Sequence, residues 1–352
     1  MRKLDFTIGN RHIGDHAPVF IVAELSCNHM QDFSIAVETI FALNEAGANA
    51  VKIQTYTPDT ITIDSYNEYF QIKQGTLWDG RTLYKLYEEA YTPWDWQPKL
   101  KEVADKLGLI FFSSAFDRTA VDFLEKMDVP AHKVASFEIT DIPLIEYMAS
   151  RKKPVIISTG IATFSDIEEA VAACKRAGNE QIALLKCTSA YPAPFEEINL
   201  KSIPHLSSNL KTVVGISDHT LGISVPVAAT ALGAKIIEKH FILDRNYASP
   251  DSAFSLEPEE FKAMVKAVRE TETALGEASY ELTSKTKKSR EFCRSLFAVR
   301  NIEQGEVVTE DNVKSIRPGF GLHPRHLRDI LGKRARQDIS KGTPLSWELI
   351  LR

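Results

Sequence analysis

Cysteine is scarce. Four Cys residues, at 27, 174, 187 and 293, form no CxxC pair and no zinc-knuckle spacing. That excludes a disulfide scaffold and a structural zinc module, and reads as reduced, packed thiols. A dominant charge is missing too: 42 Lys and Arg stand against 47 Asp and Glu, a formal net charge of -5 with a pI near 6.0. Nothing general therefore draws the chain to nucleic acid or an anionic membrane, and any anion it binds must be held by a local cluster. No run of about 18 uncharged apolar residues marks a membrane span. The start, MRKLDFTIGN, lacks the apolar core of a secretory signal. The expectation is a cytoplasmic protein with no nucleic-acid and no membrane partner. What remains, 44% hydrophobic and 25% charged over 352 residues, is a globular chain long enough for a large core and more than one domain.

Short β-rich runs alternate with helical patterns from Val19 onward, the signature of βα units around a parallel sheet. The strand candidates are VFIVAEL (19–25), AVKIQTY (50–56), LIFFSSA (109–115), AHKVAS (131–136), PVIISTG (154–160), IALLKCT (182–188), TVVGISD (212–218) and KIIEKHF (235–241). Helical patterns fall at 35–46, 94–107, 119–126, 143–151, 165–177 and 225–232, and a last one in EPEEFKAMVKAVRETETALG. Gly47, Gly108, Gly178 and Gly233 each close a helix before a strand. Eight such units predict a (β/α)8 TIM barrel. The alternative, a doubly wound open sheet, normally has fewer strands and often a Gly-rich first turn, which is absent here. Between 57 and 93 lies the longest βα insertion, rich in aromatics, among them Trp78, Tyr84, Tyr87 and Tyr91. The expected division is a barrel over 1–280, a basic linker over 281–294 and a small β-rich domain over 295–352. In the last of these, NIEQGEVVT and DISKGTPLS share an xIxxGxxL/V pattern that predicts two related half-units.

The carboxyl ends of the strands carry more polar groups than a core tolerates. Period-two geometry puts Lys52 and Gln54 on one face of their strand, and Glu238 and His240 on one face of theirs with Lys239 on the other. Lys52, Lys133 and Lys186, interleaved with Ser113, Ser114, Ser136, Ser158 and Ser217, point to a bound anion, best a phosphate. Ion pairing with Glu24, Glu138 and Glu238 is the plainer alternative. His219 and His240 end adjacent strands, each beside a carboxylate, and together suit a divalent metal such as Mn, Co, Fe, Zn or Mg. His29, after Asn28, fits a structural role equally well. Cys187 reads as packing rather than a nucleophile.

In order along the chain, IVAELSCNH, VKIQTYTPDT, FFSSAFDRTAVDFL, HKVASFEI, ISTGIAT, LLKCTSAYPAP, GISDHTLG, IIEKHF and SPDSAFSLEP resemble the sialic acid synthase family of phosphoenolpyruvate-dependent sugar acid synthases. The tail resembles the antifreeze-like, or SAF, domain of that family. AELSCNH, AYTPWDWQ and Lys186 in LLKCTSAYP resemble the pseudaminate branch rather than the N-acetylneuraminate or legionaminate branches. The resemblance implies condensation of phosphoenolpyruvate with an open-chain N-acetylated amino sugar, by cleavage of the C–O bond of phosphoenolpyruvate. It implies that Lys52, Ser114, Lys133, Ser136, Ser158, Ser189 and Ser217 hold phosphoenolpyruvate, with Asn28 and Lys186 in the same substrate-binding set. His219 and His240 would hold a divalent metal, Mn2+ first with Mg2+ or Co2+ as alternatives. Glu138 would act as acid or base, Glu24 would orient, and Gln54, Tyr191 and Asp251 would meet the sugar. Arg317 would reach the neighbouring protomer's substrate in a domain-swapped homodimer, and the product would enter a cell-surface glycan such as that of flagellin. A Schiff-base aldolase using Lys133 or Lys186 and a non-catalytic sugar-binding protein are the rival classes.

Overall fold

The computed structural model describes residues 5–73, 75 and 77–351. Parallel strands β1 (Phe20–Glu24), β2 (Ala50–Thr55), β3 (Ile110–Ala115), β4 (His132–Val134), β5 (Val155–Ser158), β6 (Ile182–Cys187), β7 (Val213–Asp218) and β8 (Ile236–His240) close into a barrel, β8 pairing back onto β1. The closing register sets His240 against Glu24. All residues of β1, β3 and β7 are buried, because side chains fill the barrel inside while helices cover it outside. Expected and observed strands agree in number and order. The fourth is shorter, since Ser136–Glu138 coil into a 3-10 turn.

Helices α1 (Phe33–Glu45), α2 (Gln97–Lys106), α3 (Arg118–Lys126), α4 (Ile142–Ser150), α5 (Phe164–Arg176), α6 (Ser202–Leu210), α7 (Ser224–Ala231) and α8 (Pro258–Leu275) follow the strands in turn. Asp32, Asp117 and Asp141 cap α1, α3 and α4 by accepting backbone N–H groups of their first turns. Reciprocal capping boxes, Thr163 with Asp166 and Glu257 with Glu260, start α5 and α8. Gly233 turns α7 into β8 at φ 97, where a side chain would be strained even though its surroundings are open. Helix α6 is absent from the periodicity reading for physical reasons: Pro204 sits in its first turn, Ser207, Ser208 and Asn209 blur its apolar stripe, and it ends on Lys211 rather than glycine.

A hairpin of Phe6–Ile8 and Arg11–Ile13 contributes Phe6, Ile8 and Ile13 to the barrel core. Its turn glycine, Gly9, lies against Ile110 and Pro130, which places it at the end of the barrel where the strands begin. At the other end the long β2–α2 insertion is ordered by helices Pro58–Ile61 and Leu83–Ala90 and by a bridge from Gln71 to Thr82. Its aromatic residues do the packing: Tyr56 lies edge-on to Tyr87, and Trp94 donates to the Tyr56 carbonyl and lies on Phe123.

The chain divides into two compact units at Gly276. In the second, β9 (Ser295–Ala298) and β10 (Val313–Ile316) pair antiparallel around a separate core that includes Leu296, Ile302, Val308, Ile339 and Leu345. The two half-units meet at matched positions. Ile302 and Ile339 exchange backbone hydrogen bonds at 2.9 and 2.8 Å, and Gly305 and Gly342 both turn at positive φ.

Candidate active site

Strand alternation brings four inner faces together around Lys52. Its Nζ lies 2.5 Å from Glu24 Oε2 and 3.5 Å from Glu238 Oε1, and donates to Ser114 Oγ at 3.3 Å. Ser217 donates to Glu238 Oε1 at 3.1 Å. All of these side chains are buried. One ammonium cannot hold two carboxylates equally. Burial pushes Glu24 up to about 7 against the pull of Lys52. Burial works on Glu238 as well, but Lys52 and Lys133 together hold it below the usual carboxylate value. Glu238 therefore carries the charge and Glu24 titrates near neutrality.

Lys133 faces a different neighbourhood. Its Nζ donates to Ser158 Oγ at 2.6 Å and to the Val134 carbonyl at 2.8 Å, and burial lowers its pKa. Beside it the Gly160 N–H donates to Ser136 Oγ at 3.2 Å, and Ser189 Oγ is buried without a partner. A Cβ on Gly160 would stand 2.7 Å from Ser136 Oγ and run into Ser189 Oγ. Hydroxyls, an amide and an ammonium thus converge where Gly160 leaves room for the Ser136 and Ser189 hydroxyls, the donor set a phosphate takes. Glu138 closes the rim from the 3-10 turn. Its Oε2 is buried without a partner, and burial pushes it up to about 7 against Lys133.

Next to this cluster stand the two histidines, ring centroids 5.3 Å apart. His219 Nδ1 lies 3.1 Å from the Thr188 carbonyl, so that nitrogen carries the proton and Nε2 keeps its lone pair. His240 Nδ1 is buried without a hydrogen bond, and burial holds the ring neutral, well below the ordinary imidazole range. Burial holds His240 in the neutral state a metal ion takes, whereas against burial the Cys187 thiol and the Thr188 carbonyl raise His219 above the ordinary imidazole value; among the described residues no group of three or more His, Cys, Asp and Glu side chains forms a metal cluster. Asp251 Oδ2 is 3.5 Å from His240 Nδ1 and accepts from Ser26 Oγ at 2.6 Å, while Gln54 donates to the same hydroxyl at 2.9 Å. Ser26 is held at φ 49, a strained conformation that its two side-chain bonds sustain. Tyr191, Phe254 and Trp78 wall this region. Tyr191 lies 4.6 Å from the His219 ring and 5.6 Å from Trp78, and Phe254 lies 4.9 Å from His240.

Several expected residues sit elsewhere. Cys187 Sγ approaches His219 Nδ1 at 3.8 Å from the inner face of β6, so the preceding Lys186 points outward, its Nζ on the Cys187 carbonyl and Thr188 Oγ1. Asp218, expected beside His219, likewise turns outward and pairs with Lys239 at 2.6 Å. Asn28 is fully buried, donates to the Phe241 carbonyl and Ser255 Oγ, and accepts from Ser249 Oγ, which ties the first loop to the last. His29 is spent on Thr92 Oγ1 and the Gln31 N–H, and burial lowers it to about 4. Arg317 is exposed in the second unit.

Residues 39–280 match the NeuB family, and residues 294–351 match the SAF domain. The chain belongs to the NeuB family. It is similar to pseudaminic acid synthase of Campylobacter jejuni subsp. jejuni serotype O:23/36 (strain 81-176), 49% identical over 327 residues that cover 93% of this chain and 95% of that one. It is also similar to pseudaminic acid synthase of Helicobacter pylori (strain ATCC 700392 / 26695), 47% identical over 95% of this chain and 98% of that one. A crystal structure of N-acetylneuraminic acid (sialic acid) synthetase from Leptospira borgpetersenii serovar Hardjo-bovis in complex with citrate superposes with a TM-score of 0.73 at 32% identity. That match covers 82% of this chain and 95% of that one.

For this NeuB-family chain, candidate selection by strand-end polarity passes over Ser26 and Phe254. Phe254 lies inside the motif SPDSAFSLEP, but its apolar side chain gives polarity nothing to rank. Ser26 reveals itself only through its backbone angle.

Proposed function

We propose that the chain is a pseudaminic acid synthase, joining phosphoenolpyruvate, 2,4-diacetamido-2,4,6-trideoxy-altrose and water to give pseudaminic acid and phosphate. The observation that carries the choice of acceptor is the 49% and 47% identity to synthases of that name, against 32% to the sialic acid synthetase. The cluster of Lys133, Ser136, Ser158, Gly160 and Ser189 supports a phosphoryl group there, and Lys52, Ser114 and Ser217 form the adjoining end of the anion site. In this reading C3 of phosphoenolpyruvate forms the new bond to the aldehyde carbon, water adds at C2, and phosphate leaves with its bridging oxygen. Glu138, titrating near neutrality, moves the proton of that water. Glu24 orients the reacting end, and Gln54, Tyr191 and Asp251 hold the sugar.

His219 and His240 would hold a divalent metal, Mn2+ by preference. Such an ion acts as a Lewis acid toward a carbonyl oxygen. The same reading takes the enzyme to be cytoplasmic and its product to enter a cell-surface glycan such as that of flagellin. It also takes the enzyme to be a homodimer in which Arg317 of one protomer serves the substrate of the other; the SAF match and the exposure of Arg317 support this.

The test is phosphate release from phosphoenolpyruvate with the altrose derivative, its legionaminate-type isomer and N-acetylmannosamine, each with EDTA and with added Mn2+. Turnover confined to the altrose derivative, lost in EDTA and restored by Mn2+, is the expected result. Preference for N-acetylmannosamine overturns the acceptor, and release that survives EDTA overturns the metal.

A further inference from the structure

Across the ends of β7 and β8 the side chains form successive rungs on alternating faces. Ser217 and Glu238 meet inside the barrel at 3.1 Å. The next pair, Asp218 and Lys239, faces outward and is the last rung of the ladder between these strands. His219 and His240 follow on the inside, beyond that ladder. The outward pair is fully buried: Lys239 Nζ lies 2.6 Å from Asp218 Oδ2 and also donates to the Thr220 carbonyl. Asp218 in turn accepts from the Thr220 N–H at 2.9 Å and the Thr220 hydroxyl at 3.1 Å. The network therefore grips the backbone on both sides of His219 and the residue just before His240.

We propose that Lys239 and Asp218 are positioning residues that set the separation of the two histidines. The proposal rests on the reading that His219 and His240 hold a divalent metal. A fully buried ion pair is a poor stabiliser, because desolvating both charges cancels much of their attraction and apolar replacements are often as stable. What such a pair supplies is a single geometry, since an ammonium with an aspartate and a carbonyl as partners has one place to sit. Here that place lies one residue behind each imidazole. Neither residue touches substrate or metal. Both act through the backbone.

Calorimetric titration with Mn2+, and separately with phosphoenolpyruvate, tests this on the full-length wild type, Lys239→Met, Asp218→Asn, Lys239→Arg and the double variant Asp218→Leu/Lys239→Met, each below its melting temperature. The double variant removes both charges together and keeps the fold when either single change leaves an unpaired buried charge. It is expected to bind phosphoenolpyruvate as wild type does and Mn2+ about 10–100-fold more weakly, the usual cost of disturbing what orients a ligand. Lys239→Arg, which keeps the pair, recovers most of the Mn2+ affinity. Wild-type Mn2+ affinity in the folded double variant overturns the proposal, as does a parallel loss of both ligands, which a merely loosened barrel would give. If the wild type itself binds no Mn2+, the metal reading falls and takes this inference with it.

Discussion

Lys133 and Lys52 show how the same residue type serves two ends by its neighbours alone. Lys52 sits between carboxylates and organises them, whereas the described hydrogen-bond partners of Lys133 are a hydroxyl and a carbonyl, with Glu238 acting on it only through its charge. Lys133→Met should weaken phosphoenolpyruvate binding by about 2–5 kcal/mol, the cost of truncating one side of a buried charged pair, as read from a binding titration. Gly160→Ala should weaken the same ligand, read by the same titration, since the added methyl displaces the Ser189 and Ser136 hydroxyls. Glu138 carries a pH dependence. Its pKa rises from 4.5 unfolded to about 7 folded, so its contribution to stability is complete below pH 4.5 and lost as pH rises through 7. Glu138→Gln should therefore melt like wild type near pH 4.5 and above it at pH 8. In kinetics it should remove an inflection near pH 7 from the profile of kcat.

At the scale of elements, the barrel is legible because each strand is a continuous apolar run closed by a helix signal. What escapes is whatever breaks that grammar, such as α6 with its proline and its non-glycine end. Lys52, Lys133, His219 and His240, which the fold gathers at the strand ends, stand out in the sequence as candidates because charge in an apolar run is costly. Alternation then sorts inward from outward. Lys186 and Asp218 each stand next to an inward-facing residue, Cys187 and Ser217, and so turn outward. In sequence a buried amide such as Asn28 and a substrate-binding amide look alike until their partners are seen. The aromatic insertion is the element with most left to show. Trp78, anchored by its Nε1 to the Pro250 carbonyl and packed on Tyr191, links it to the last loop. Trp78→Ala should raise KM for the amino sugar about tenfold, in line with a lost aromatic contact and its burial, and leave phosphoenolpyruvate binding intact. Steady-state kinetics in each substrate separates the two.

Among the described residues there are two separate hydrophobic cores, and residues 277–294 contribute to neither. Residues 277–352 produced alone should therefore give a dispersed amide spectrum of a folded domain. Arg317→Ala and His240→Ala proteins should each lose turnover and regain part of it when mixed, if one protomer's arginine serves the other's barrel. Trading the C-terminal unit between two copies would then open no core and break no strand of the barrel. Such an enzyme is only as active as it is crowded: its specific activity should fall on dilution, while the fold of each copy, followed by circular dichroism, stays unchanged.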